Sequence, residues 1–139
     1  AEDWPQFARN DSDQYECRLV QLKIEECKSI FFDGMAGSII PVMVSHGEGK
    51  AVFSNKESNV VARYVDPLHR TTKHYPFNPN GSEEGAAGVC NDDGRIMIMM
   101  PHPERTFLAK QYSWSPKEWN HYSPWFKMFD NAYQYTKKN

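Results

Sequence analysis

Two short segments of the sequence place a histidine two residues before a glutamate: His46-Gly47-Glu48 and His102-Pro103-Glu104. In extended backbone, side chains two positions apart point to the same side, so the carboxylate can accept a hydrogen bond from one ring nitrogen. The other ring nitrogen can then act as a general base, which is the base-and-orienter half of a nucleophilic triad. The same spacing also fits a surface histidine beside a solvated glutamate, so the surrounding sequence has to decide.

The sequence around His102 favours the catalytic interpretation. Arg95 to Met100 (RIMIMM) is almost continuously apolar, which predicts a strand buried on both faces just before the motif. Pro101 and Pro103 fix φ and donate no backbone hydrogen bond, so they predict a stiff strand end. Ligands of open α/β sheets bind at the carboxyl ends of strands. For His46 the flanking glycines predict a tight turn or close approach of backbone to a ligand, and both interpretations stay open.

A triad also needs a nucleophile, and the chain has three cysteines, Cys17, Cys27 and Cys90. Cys90 precedes a turn predicted at Asn91-Asp92-Asp93-Gly94, so it lies at the opposite end of the next strand from His102, about 20 Å away. None of the three stands in a Gly-x-Cys-x-Gly elbow, the sharp turn that exposes a nucleophile. Their odd number and their spacing fit reduced thiols and predict no metal site. We therefore expect the nucleophilic cysteine to lie outside this chain.

The elements that position these residues are predicted to be short strands and turns. Apolar alternation or short apolar runs predict strands at Glu16 to Ile24, Ile39 to Val44, Lys50 to Ser54, Val60 to Asp66 and Ala86 to Cys90. In the first of these, Val20, Leu22 and Ile24 share one face. Pro41 removes one ladder donor from the second, which predicts an edge strand or a strand start. The first fifteen residues are polar and are expected to be irregular.

The last part of the sequence predicts a helix. Ser115-Pro116-Lys117-Glu118 has the form of a capping box, and Ser123-Pro124 repeats the start signal. Trp125, Phe126, Phe129, Ala132 and Tyr133 then recur at helical spacing. This stripe predicts a C-terminal helix whose aromatic face packs on the sheet as part of the core.

Bulk composition narrows the class of protein. The 139 residues fit one domain, and 40% apolar with 14% aromatic residues argues against extensive disorder. A formal charge of -2 without a Lys/Arg stripe argues against nucleic acid as a partner. No apolar run reaches the about 20 residues that cross a bilayer, and the opening residues are no signal peptide. A cytoplasmic protein is the expectation.

Six segments in a fixed order carry a resemblance to a known family. They are Trp4 to Asn10 (WPQFARN), Pro41 to Gly49 (PVMVSHGEG), Ala62 to Asp66 (ARYVD), Asn78 to Ser82 (NPNGS), Met99 to Arg105 (MMPHPER) and Ser123 to Ala132 (SPWFKMFDNA). Together they resemble the glutaminase domain at the C-terminus of the large phosphoribosylformylglycinamidine synthase of purine biosynthesis. The similarity covers nearly the whole chain.

The resemblance implies a fold, a reaction and a site. The fold would be α/β: part of a flavodoxin-like doubly wound sheet, with antiparallel hairpins and a C-terminal helix. The family is a ligase that uses glutamine and ATP to convert formylglycinamide ribonucleotide to the formylglycinamidine. Its glutaminase domain cleaves glutamine with a Cys-His-Glu triad, of which His102 and Glu104 match the motif. The residues that bind glutamine are not identified.

The resemblance also implies what lies outside residues 1–139. The cysteine elbow belongs to the first half of the glutaminase domain, and ATP and Mg²⁺ bind in separate synthetase domains, so this chain is expected to hold no cofactor. Without the elbow, it should not hydrolyse glutamine by itself. Half a sheet should expose an edge and an apolar face, which predicts a dimer or a companion chain.

Two other interpretations remain beside that of an enzyme fragment. One is a non-catalytic module, derived from half a glutaminase domain, that binds or regulates a partner. The other is a separate small glutaminase subunit of the same pathway. The retained His102-Glu104 pair favours the enzyme fragment over the first, and the segment from Ser123 onward fits the large fused enzyme better than the second.

Overall fold

Seven strands and one α-helix form the regular structure of residues 4–54 and 58–138, the parts of the chain that the computed structural model describes. The strands are β1 (Gln6–Ala8), β2 (Glu16–Ile24), β3 (Ile39–His46), β4 (Lys50–Val52), β5 (Asn59–Val65), β6 (Ala86–Cys90) and β7 (Met97–Met99), and the helix is α1 (Phe126–Lys138). Single 3-10 turns occur at Ile30–Phe32, Glu83–Gly85, Pro103–Arg105, Ala109–Gln111 and Lys117–Trp119.

Most strands belong to one five-stranded sheet, in the order β3-β2-β5-β6-β7, while β1 pairs with β4 in a separate sheet. The predicted α/β fold with antiparallel hairpins and a C-terminal helix is confirmed. Every named pair of neighbouring strands in the described residues is antiparallel. The rule on ligands at the carboxyl ends of strands therefore gives no support to His102 here, because it concerns open α/β sheets of mostly parallel strands.

The ladder between β2 and β3 forms the centre of the core. Val20, Leu22 and Ile24 are buried on one face of β2, as their alternation predicts. Val20 lies opposite Val42 and Leu22 opposite Ile40, so both strands contribute to the same face. The strand β3 is an edge strand, as Pro41 predicts, and it continues two residues beyond the predicted end, through His46.

One contact joins the two edges of the five-stranded sheet. His102, three residues beyond β7, forms an antiparallel bridge with Met43 of β3, and its backbone N–H donates to the Met43 carbonyl at 2.8 Å. Since β7 and β3 are opposite edges, the sheet curls until the chain after β7 meets β3. This closure brings the His-Pro-Glu motif against the strand that ends in His46.

Two predictions about strands and irregular segments are wrong. The strand before His102 is short, half-buried and at the sheet edge, whereas RIMIMM predicts a strand buried on both faces. It pairs with β6 alone among the named strands, so its apolar side chains are only partly covered, and Ile96 is exposed. The first fifteen residues are not wholly irregular, because Gln6–Ala8 pairs with β4.

The C-terminal segment also departs from its prediction. Ser115-Pro116-Lys117-Glu118 leads into a 3-10 turn, Lys117–Trp119, without a side-chain cap, so the predicted capping box is wrong. The second start signal is confirmed: α1 begins at Phe126, and the Ser123 hydroxyl accepts a hydrogen bond from the Trp125 N–H at 3.2 Å. A helix therefore forms only after Ser123.

Of the predicted aromatic stripe, only Trp125 lies in the core. Its indole N–H donates to the Pro41 carbonyl at 2.8 Å, which covers part of the outer edge of β3. Phe126, Phe129 and Tyr133 are exposed instead. The helix packs on the turn Ile30–Phe32 rather than flat on the sheet, so its aromatic face is only partly covered.

Candidate active site

His102 and Glu104 form a direct side-chain contact. His102 Nδ1 and Glu104 Oε1 are 2.7 Å apart. The backbone here is a 3-10 turn, Pro103–Arg105, and not the extended chain from which we inferred that the two side chains meet. The N–H of Arg105 donates to the His102 carbonyl at 3.1 Å, which holds the turn closed. The motif therefore brings imidazole and carboxylate together through a turn.

The dyad lies at the surface of the described residues. The His102 side chain is 28% exposed and that of Glu104 57% exposed. Because the carboxylate contacts Nδ1, it favours the tautomer with the proton on Nδ1, and Nε2 remains for proton transfer. This geometry suits a general base that acts on a group brought from outside the described residues.

His46 lies close to the dyad but in a different environment. It ends β3 on the inner face and is 7% exposed, and neither ring nitrogen has a hydrogen-bond partner among the described residues. Burial lowers the pKa of His46, and the nearby His102 lowers it further, against weaker opposing effects of its own backbone and Glu16. The imidazole is thus held neutral. Glu48, by contrast, is exposed and bonds neither ring nitrogen, so the His46-Gly47-Glu48 motif forms no dyad.

The turn after β3 is built around the His46 ring. A Cβ on residue 49 would overlap the His46 ring and would lie 2.6 Å from the Asn80 amide nitrogen, so only glycine fits. Asn10 joins both sides of this turn: its Nδ2 donates to the His46 carbonyl at 2.8 Å, and its Oδ1 accepts from the Gly49 N–H at 3.1 Å. The flanking glycines predicted a tight turn or a close approach, and the structure has the turn.

A buried ion pair lies beside His46, and sequence reasoning missed it. Glu16, opposite His46 in the β2–β3 ladder, is 2% exposed, and its Oε2 accepts from Arg18 Nη2. The same guanidinium donates to the Tyr75 hydroxyl at 2.6 Å. A signal did exist: Glu16 and Arg18 continue the alternation of Val20, so the pattern already places them on the inner face.

The cysteines lie where the sequence placed them. Cys90 is opposite Met97 in the β6–β7 hairpin, at the far end of β7 from His102. Burial raises the pKa of both Cys90 and Cys27, which disfavours the thiolate. Cys17 is exposed. The roles predicted for His102 and Glu104, and a nucleophile from outside the chain, stay predictions.

Two negative findings apply to the described ranges, 4–54 and 58–138. None of their helices has the length and apolar character that crossing a bilayer requires. Nor do these residues contain a group of three or more His, Cys, Asp or Glu side chains that could hold a metal ion.

Comparison with known proteins relates the chain to a protein family and to a solved structure. Residues 1–136 match the family model of the CobB/CobQ-like glutamine amidotransferase domain. The structure is also similar to that of PurLQS from Thermotoga maritima, with a TM-score of 0.71 and 28% sequence identity. This match covers 95% of the present chain and 53% of the other, so the chain spans about half the length of the solved one.

Proposed function

We propose that this chain, which belongs to the CobB/CobQ-like glutamine amidotransferase family, supplies the base of the glutaminase site in a phosphoribosylformylglycinamidine synthase. The proposal is supported by the family match and by the likeness to PurLQS over 95% of the chain. The single observation that carries it is the 2.7 Å contact between His102 Nδ1 and Glu104 Oε1, which is the orienting contact of a triad.

In the proposed reaction, a cysteine thiolate from outside these residues attacks the side-chain carbonyl of glutamine. His102 takes the thiol proton through Nε2 and delivers it to the leaving nitrogen, so that ammonia departs and a thioester remains. Water then hydrolyses the thioester to glutamate, with His102 again as the base. Glu104 keeps the ring in the required tautomer and stabilises its protonated form.

The ammonia would serve an ATP-dependent ligase step elsewhere in the same enzyme. That step converts formylglycinamide ribonucleotide to the formylglycinamidine, and ATP and Mg²⁺ would bind in its synthetase domains. The partner of this chain is accordingly the remainder of the synthase. The cytoplasm, where thiols stay reduced, suits three cysteines without a disulfide among the described residues.

Glutamine hydrolysis by defined mixtures tests the proposal. We expect no ammonia release from this chain alone, and release when it is combined with a recombinant segment that carries the cysteine elbow. His102→Ala should abolish that release, while His74→Ala, which removes an exposed imidazole elsewhere, should not. If the chain alone released ammonia in a reaction that depends on His102, the proposal that the nucleophilic cysteine lies in another segment would be wrong.

A further inference from the structure

A cluster of buried polar groups beside the dyad has no role in the proposed reaction. It consists of Glu16, Arg18 and His46 on the inner face of β2 and β3. Four atoms of this cluster are buried without a hydrogen-bond partner among the described residues: Glu16 Oε1, Arg18 Nε and both ring nitrogens of His46. Native structures contain few such groups, because each one loses its hydrogen bonds to water on folding without replacing them. Four at one place indicate a site for a polar group.

The cluster lies within reach of the dyad. Glu16 faces His46, and Arg18 faces Val44, in the β2–β3 ladder. His102 is bridged to Met43 in the same β3 strand, three residues before His46, which is about 10 Å along a strand. The His102 ring also acts electrostatically on the His46 ring, so the dyad and the cluster lie near enough for one small extended substrate to contact both.

The cluster is covered by surface side chains. The Arg18 guanidinium stacks on the Tyr75 ring, 4.7 Å from its centroid, and the Tyr75 side chain is largely exposed. Both covering side chains are partly exposed, so the ion pair lies next to the protein surface. When the guanidinium leaves Glu16 it keeps its charge, so it can pair with an anion while Glu16 pairs with a cation.

We propose that Glu16 and Arg18 bind the α-amino-acid head of glutamine, with Glu16 accepting from the ammonium group and Arg18 donating to the carboxylate. One buried ion pair is thereby exchanged for two ion pairs with a zwitterion, which leaves the net charge of the site unchanged. His46, neutral and fixed against Gly49, supplies one further donor and one acceptor. The inference rests on the proposed function, because it takes glutamine as the substrate of the dyad.

The experiment compares Glu16→Gln with wild type in the complete glutaminase, this chain with its elbow-bearing partner segment. The substitution keeps the shape and removes the charge. KM for L-glutamine should rise about tenfold to a hundredfold, the cost of one charge-assisted hydrogen bond, while kcat stays unchanged. Glutaramic acid, which lacks the α-ammonium group, should show the same KM with both proteins. An unchanged KM for glutamine, or an equal rise for glutaramic acid, would overturn the inference.

A matched control shows whether the effect is specific to Glu16, and a second measurement distinguishes failure of this inference from failure of the proposed function. Glu25→Gln removes a carboxylate just beyond the other end of β2, where Glu25 lies 3.6 Å from Arg63, and should leave KM unchanged. L-glutamine titrated into the 139-residue chain should shift the backbone NMR signals of Glu16 and Arg18, and should not do so in Glu16→Gln. If wild type binds glutamine but the complex never hydrolyses it, the proposed function fails and the inference stands. If wild type shows no shift, the inference fails.

Discussion

At the scale of single residues, the proposed mechanism depends on the contact between Glu104 and His102 Nδ1. Glu104→Gln removes the charge that stabilises the protonated imidazole during proton transfer. We expect kcat of the complete glutaminase to fall about 10²- to 10⁴-fold. The melting temperature should hardly change, because the Glu104 side chain is mostly exposed. Glu118→Gln, an exposed carboxylate in another 3-10 turn, is the control, and full activity of Glu104→Gln would remove Glu104 from the mechanism.

His46 should make the stability of the chain depend on pH. Burial, with His102 as a second cause, lowers the pKa of His46 below its ordinary value of 6.5. Below that pH the unfolded chain takes up a proton that the folded chain excludes. The free energy of unfolding should therefore fall as pH drops through 6.5, until the folded pKa is reached.

Urea unfolding across this range provides the measurement. His46→Gln cannot titrate, so the pH dependence of its urea midpoint should be weaker than that of wild type. His74→Gln, at an exposed position, should follow the wild-type curve. If the curves of His46→Gln and wild type ran parallel, His46 would not be the buried neutral group described above.

The sequence predicts the dyad, but for a reason that the structure corrects. The argument from extended backbone fails, because His102 precedes a 3-10 turn, yet the side chains still meet. The Glu16–Arg18 pair is local, and strand alternation places both residues on the inner face, but the sequence does not show which side chains surround them. Motif spacing reports contacts within a segment, whereas the Tyr75 hydroxyl that accepts from Arg18 is 57 residues away, and His46 is 30 residues from Glu16.

At the scale of elements, the turn after β3 determines where the His46 ring lies. Gly49→Ala would place a Cβ against that ring and the Asn80 amide, and overpacking of this kind costs about 1–3 kcal/mol. We expect a lower free energy of unfolding by urea denaturation, together with displaced NMR signals of the His46 ring. Gly47→Ala in the same turn is the matched control, since its Cβ would lie 3.9 Å from the Tyr15 ring, an ordinary contact. Equal stability of the two variants would contradict this account of Gly49.

Strand alternation predicted which residues are buried better than continuous apolar runs did. In β2 the period of two identifies the buried face, because a strand inside a sheet has its two faces in different surroundings. The run RIMIMM and the aromatic stripe of α1 are apolar. Apolar residue types alone, however, do not show which other element packs on them. Both are partly exposed among the described residues, so the predicted strand buried on both faces and the predicted packing of the whole stripe on the sheet are wrong.

At the scale of the whole molecule, the exposed side of α1 suggests that another protein chain binds there. Phe126, Phe129 and Tyr133 are spaced along one side of the helix, and Tyr122 stacks on Phe126 with 4.1 Å between ring centroids. Single exposed aromatic residues are ordinary, whereas a contiguous patch marks an interface. In the proposed synthase, the remainder of the enzyme covers this side of the helix. In the isolated chain, a second copy of the chain can cover it instead.

Light scattering on the isolated chain tests this expectation. We expect self-association at raised protein concentration, because Phe126, Phe129 and Tyr133 are only partly covered by other described residues. Tyr133→Glu adds a charge at a position that is 55% exposed, so it should weaken association without unfolding the chain. Leu68→Glu, an exposed apolar residue in the loop after β5, is the matched control and should leave association unchanged. A wild-type chain that stays monomeric and melts in one cooperative transition would contradict the expectation.

The segment that carries the cysteine elbow should compete with self-association if both bind to the face of α1. In that case Tyr133→Glu should also raise the amount of the segment that glutamine hydrolysis requires.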